Sequence, residues 1–144
     1  MYLLDTNIVS ELRKMEKHQA DPNVTKWFEQ INLNDAYLSV VTLFEIKVGI
    51  LQLQRKDIQQ AAILQNWFET RLLPLFEHRI LPLSSQIMLA CAEFHIPNKK
   101  PLNDAYLAAT AKVHRFKMVT RNTKDFEKLK LDLINPFGQK KARY

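Results

Sequence analysis

One cysteine, two glycines and no long apolar run are the first features of this 144-residue chain. A lone Cys91 cannot form an internal disulfide, so a reducing cytoplasm is the expected setting and Cys91 the expected core filler. With only Gly49 and Gly138, the chain has no glycine-rich phosphate cradle, which excludes a P-loop nucleotide hydrolase. No apolar run approaches the roughly 20 residues that span a bilayer, so no membrane partner is expected. Met1-Tyr2-Leu3-Leu4-Asp5 brings an acid too early for the basic start and apolar stretch of a secretory signal. His18, His78, His95 and His114 lack the paired spacing of a zinc site, and no serine sits in a nucleophile motif.

What the chain has in excess is positive charge, unevenly spread. The formal net charge is +6. Residues 1–72 carry eight Lys and Arg against nine Asp and Glu, whereas residues 73–144 carry thirteen against six. Lysines and arginines that neutralise phosphates supply most sequence-independent affinity for nucleic acid, so the basic half points to a polyanionic partner. An ordinary solvated surface uses the same residues, and no single lysine decides between the two.

Apolar periodicity alternates between strands and helices. Tyr2–Leu4 reads as a buried strand ended by Asp5-Thr6-Asn7, a helix-capping run, with a short helix over Ile8–Lys14. Asp21-Pro22-Asn23 opens a helix on which Val24, Trp27, Phe28 and Ile31 recur at helical spacing. Tyr37–Val40 is a second strand, Thr42–Leu53 an apolar helix, and 57–76 one long amphipathic pattern. Trp27, Trp67 and Phe68 are expected in a core or between subunits rather than stacked on bases. Arg79–Leu81 is a third strand, and Ser84 caps a helix from Ser85 to about His95. After the loop Ile96–Pro101 come an alanine-rich helix, Leu102–His114, and a fourth strand, Lys117–Thr120. Arg121–Lys128 reads as a loop with a short helix. No repeat or linker divides residues 1–137, read as one domain with a basic tail over 138–144. The alternation predicts an α/β fold whose parallel sheet is covered on both faces. Such sheets bind ligands beyond the carboxyl ends of their strands, which points at Asp5 and at Arg121-Asn122.

Three acids stand out. Asp5 follows the first strand. Glu45 lies in Val40-Val41-Thr42-Leu43-Phe44-Glu45-Ile46-Lys47-Val48-Gly49-Ile50-Leu51, where a buried carboxylate needs a cation, a proton or a hydrogen-bond partner. Asp104 opens a helix directly after a proline-bounded loop. Each has a structural role open to it: Asp5 and Asp104 as helix caps, Glu45 as the partner of a lysine. Together they can converge on one hard cation. Mg²⁺ takes one or two carboxylates plus waters and substrate phosphates, and it activates water for attack on phosphorus.

Leu3-Leu4-Asp5-Thr6-Asn7, the Glu45 helix, Asn103-Asp104-Ala105-Tyr106-Leu107-Ala108-Ala109-Thr110-Ala111 and Val119-Thr120-Arg121-Asn122-Thr123-Lys124-Asp125-Phe126 resemble successive motifs of PIN-domain nucleases. They are most similar to the VapC and FitB type toxins of bacterial toxin–antitoxin pairs, in order, from Met1 to about Phe137. The resemblance implies a three-layer α/β/α fold with a central parallel sheet and an endoribonuclease dependent on Mg²⁺ or Mn²⁺. It further implies a homodimer and a small VapB-type antitoxin whose C-terminal segment enters the active-site groove. DNA would be met only through that antitoxin. By the same resemblance Asp5, Glu45 and Asp104 hold the metal, and the fourth position falls to Asn122 or Asp125. Thr6, Asn7 and Thr120 fit supporting roles beside the ligands. Arg121 and Lys124, with Lys99, Lys100 and residues 140–143, are candidates for binding RNA phosphates without reading sequence.

Two rivals remain to be weighed. A haloacid-dehalogenase-like phosphatase also starts with an acid after its first strand, but it needs a second aspartate where this chain has Asn7. A catalytically weak PIN-like domain, binding RNA or an antitoxin–operator complex without cutting, is kept open by Asn122.

Overall fold

The computed structural model describes residues 1–138; residues 139–144, all but the first of the expected basic tail, lie outside the described residues. Strands β1 (Tyr2–Leu4), β2 (Ala36–Ser39), β3 (Ile80–Leu81), β4 (Lys117–Val119) and β5 (Leu133–Ile134) form one parallel sheet in the order β3-β2-β1-β4-β5. The register sets Tyr2 beside both Ala36 and Lys117, and Leu4 beside Val119. Helices α1 (Thr6–Glu16), α2 (Pro22–Gln30), α3 (Val40–Gln54), α4 (Ile58–Trp67), α5 (Leu73–Leu75), α6 (Ser85–Glu93) and α7 (Leu102–His114) cover the sheet.

Successive residues of a strand face opposite ways, and the two cores follow from that. Leu3 and Met118 point into one cluster, with Ile87, Cys91, Ala105, Ala108, Ala109 and Phe126. Leu4 and Val119 point into the other, with Ile8, Val9, Leu38, Phe68, Leu72 and Phe76. Helix, sheet and helix therefore make three layers, as the alternation of elements predicts. The alanines of α7 let that helix lie close to the sheet. Cys91 is buried as core filler. Trp27 packs edge-on against Tyr2 and Phe28, with ring centroids 5.3 and 5.0 Å apart, and Trp67 joins the same core.

Three expectations are corrected. β5 is an addition to the four expected strands. Its two apolar residues follow the mixed run Lys128-Leu129-Lys130-Leu131-Asp132, which carries no strand signal. Pairing with β4 creates it: Met118 N–H donates to the Asp132 carbonyl at 2.8 Å, and Thr120 N–H to that of Ile134 at 2.9 Å. The pattern over 57–76 is not one α-helix. It widens to a π-helical stretch over Phe68–Leu72 before α5. Pro74 has no N–H and its ring crowds the carbonyl four residues back, so the wide turn resets the backbone ahead of it. The short helix expected in Arg121–Lys128 is instead two three-ten turns, Thr123–Asp125 and Glu127–Leu129.

The chain runs from β1 outward through β2 to β3, then returns to the far side of β1 as β4 and continues to β5. The order reverses between β1 and β4. At such a switch point the loops leaving two neighbouring strands diverge and leave a crevice beyond their carboxyl ends. Asp5 and Thr120 are the first residues past those two ends.

Candidate active site

Asp5 spans the crevice. Its Oδ1 accepts from the Thr6 backbone N–H at 2.7 Å, capping α1, while Oδ2 accepts from the Thr120 hydroxyl at 2.8 Å and the Asn7 amide at 3.4 Å. It is only 7% exposed. Burial pushes its carboxyl above the usual carboxylate range. The bonds from Thr120 and Thr6 oppose that shift, and the charges of Glu45 and Asp125 add to it. Capping and ligation are thus not alternatives for Asp5: three hydrogen bonds from described residues use part of the capacity of its two oxygens and leave about one lone-pair direction for an ion.

Glu45 reaches the crevice from α3, whose first turn is capped by Ser39 Oγ accepting from Val41 N–H at 3.0 Å. The Thr6 hydroxyl donates to Glu45 Oε1 at 2.7 Å, and the Asn103 amide donates to Oε2 at 3.3 Å. The alternative of a lysine partner finds no support among the described residues. Among those residues the Lys and Arg ion pairs are Lys14–Glu11 and Arg71–Glu16, neither of them in the crevice. Asp104 stands in the first turn of α7, whose cap position is Pro101 and lacks a side-chain cap bond, so Asp104 does not cap its helix. Its carboxyl is also pushed up, first by burial and then by Asp5, Asp125 and Glu45.

The two candidates for the fourth position are placed differently. Asn122 is exposed; its backbone N–H donates to Thr120 Oγ1 at 3.0 Å, and its side chain bonds no described residue. Asp125, at the end of the first three-ten turn, is exposed, and its charge acts on both Asp5 and Asp104. Arg121 forms the rim. Its N–H donates to Asn7 Oδ1 at 3.2 Å, and its guanidinium lies 4.7 Å from the centre of the Phe137 ring. Lys124 is exposed on the adjoining turn. Lys100 N–H donates to His95 Nδ1 at 3.1 Å within the loop before α7.

Thr120, Thr6 and Asn7 all bond the site acids, but with divided duties. Thr120 and Asn7 hold Asp5, whereas the Thr6 hydroxyl holds Glu45 and only its backbone serves Asp5. Sequence reasoning did not single out Asn103. Its position beside Asp104, with an amide at the mouth of a helix, was the available signal.

Residues 2–131 match the family model described as PIN domain. The chain belongs to the PIN-domain family. VapC ribonuclease Y4jK of Sinorhizobium fredii is 34% identical to it, covering 95% of this chain and 98% of the relative. Toxin FitB of Neisseria gonorrhoeae is 32% identical, covering 95% and 99%. The solved structure of FitAB bound to the IR36 DNA fragment has a TM-score of 0.82 at 31% identity, covering 99% of this chain and 100% of that one.

The donor set of this PIN domain suits a hard divalent cation. Asp5, Glu45 and Asp104 all offer carboxylate oxygens, the kind Mg²⁺ and Mn²⁺ take, and none is neutralised by a described lysine or arginine. Among the described residues no three His, Cys, Asp or Glu side chains already stand in ion-holding geometry. Carboxylates that share one crevice repel one another, and a cation or protons would relieve that repulsion.

Proposed function

We propose that this PIN domain is a metal-dependent endoribonuclease toxin in which Asp5, Glu45 and Asp104 hold Mg²⁺, or Mn²⁺ in its place. The observation that supports it best is the set of acids at the switch point, where burial first and neighbouring acids second raise the carboxyls of Asp5 and Asp104, and no described cation pairs with them. The bound ion would polarise a phosphate oxygen and make water acidic enough to attack. Asp125, more exposed than the three ligands, takes the proton of the attacking water. As the water oxygen bonds to phosphorus the P–O3′ bond breaks, and the departing O3′ takes a proton from bulk water, so the products carry a 5′-phosphate and a 3′-hydroxyl. Asn122 keeps Thr120 in place through its backbone rather than acting as the fourth acid. Arg121 and Lys124 hold flanking RNA phosphates without reading sequence.

The partners follow from the relatives. Full-length similarity to a protein named a toxin, and to a FitAB complex bound to DNA, supports a homodimeric toxin neutralised by a VapB-type antitoxin. DNA is reached only through that antitoxin. The cytoplasm, where RNA and a reduced Cys91 coexist, is the proposed location. Among the described residues no helix is long and apolar enough to cross a membrane.

The test is Asp5→Asn, which keeps an oxygen to cap α1. Loss of cleavage with an unchanged circular dichroism spectrum is expected, and turnover at the unaltered rate would remove Asp5 from the site. End-mapping of the fragments should find 5′-phosphates; 2′,3′-cyclic ends would point to attack by the ribose hydroxyl instead.

A further inference from the structure

Glu45 is held from both sides by the chain neighbours of the other two acids. Thr6, next to Asp5, donates its hydroxyl to Oε1 at 2.7 Å; Asn103, next to Asp104, donates its amide to Oε2 at 3.3 Å. The first bond ties α3 to α1, and the second ties α3 to α7. Thr6 Oγ1 also lies 3.4 Å from Thr42 Oγ1, one turn before Glu45 on α3.

A glutamate on a helix has three rotatable side-chain bonds and gives up much rotamer freedom when fixed. Half-buried and with no ion pair among the described residues, Glu45 is fixed there by these two bonds. It borders a groove of about 290 Å³ lined also by Ser10, Arg13 and Lys14, into which an untethered carboxylate can swing. Thr6 alone leaves the carboxylate free to turn about its Oε1 contact. A second donor on Oε2 fixes its plane and leaves each oxygen with lone-pair capacity for an ion.

We infer that Asn103 is a positioning residue, which sets the plane of the Glu45 carboxylate so that Glu45 and Asp104 present oxygens to one divalent cation. This rests on the metal-nuclease reading above. Asn103 touches neither substrate nor ion; it acts through Glu45. Partners of this kind are worth 10–100-fold in metal affinity by general experience with hydrogen bonds behind ligands, that is about 10–100-fold here.

The experiment is a Mn²⁺ titration of the full chain, read by the loss of the free-ion electron paramagnetic resonance signal, with cleavage rates at several Mn²⁺ concentrations alongside. Asn103→Ala should weaken Mn²⁺ binding about 10–100-fold and shift half-maximal cleavage to correspondingly higher Mn²⁺, with the rate largely recovered at saturation. Asn103→Gln, which keeps an amide donor, should recover part of the affinity. A thermal melt in EDTA checks that each variant folds. Unchanged Mn²⁺ affinity in folded Asn103→Ala overturns the positioning role and leaves the nuclease reading intact. Absence of Mn²⁺ binding by the unaltered protein overturns both.

Discussion

Asp5 carries two duties that oppose each other. As the cap of α1 it stabilises the fold, and as a buried acid facing Glu45 and Asp125 it costs stability whenever it is ionised without a cation. Its native carboxyl binds a proton more tightly than the unfolded chain does. That contribution is present in full below the ordinary value of 3.8 and is lost as pH rises through the raised native value; Asp104 behaves alike. In EDTA, Asp5→Asn is therefore expected to be more stable than the unaltered protein near neutral pH. The gap should close on acidification, in urea melts across pH. A gap independent of pH would mean that the charge on Asp5 costs the fold nothing. Thr120→Val has the opposite sign. It removes the hydroxyl donor from a buried carboxylate and should cost about 1–3 kcal/mol in the same melts.

At the scale of elements, α3 matters because it carries Glu45 to the crevice. Ser39 ends β2 and caps α3 in one residue, and its side chain is fully buried. Ser39→Ala should cost about 1 kcal/mol by thermal melt and lower cleavage at limiting Mg²⁺, since the first turn of the helix frays. The strand–acid–helix pattern at Leu4-Asp5-Thr6 and the alanine-rich α7 were legible in the sequence because local capping and apolar spacing agree with the tertiary fold there. The alternation of elements carried the parallel sheet, and the motif resemblance gave Glu45 and Asp104, already conspicuous as acids, their place beside Asp5. β5 was not legible, because two residues acquire strand geometry only from pairing with β4. Nor was the π-helical stretch, since Phe68 and Leu72 keep helical spacing in the sequence while Pro74 changes the hydrogen bonding. Asn103 was missed for a related reason: its role depends on a residue 58 positions away.

Across the whole molecule, charge is divided by place. The N-terminal half supplies Asp5 and Glu45, and the basic C-terminal half supplies Asp104 and Asp125 together with Arg121 and Lys124 at the rim. The crevice concentrates negative charge that a divalent ion can neutralise. A ligand that binds only the folded state raises its stability by mass action, so Mn²⁺ should raise the melting temperature of the unaltered protein. The rise should shrink as pH falls through the raised values of Asp5 and Asp104, because protons compete for the same oxygens. A rise of equal size in Glu45→Gln would place the ion elsewhere.

The most direct measurement is cleavage of total cellular RNA by the purified, antitoxin-free protein with Mg²⁺, with Mn²⁺ and with EDTA, beside Glu45→Gln. Discrete fragments that disappear in EDTA and in the variant are the expected result. Intact RNA in every lane, from folded protein, would contradict the nuclease reading and leave a PIN domain that binds without cutting.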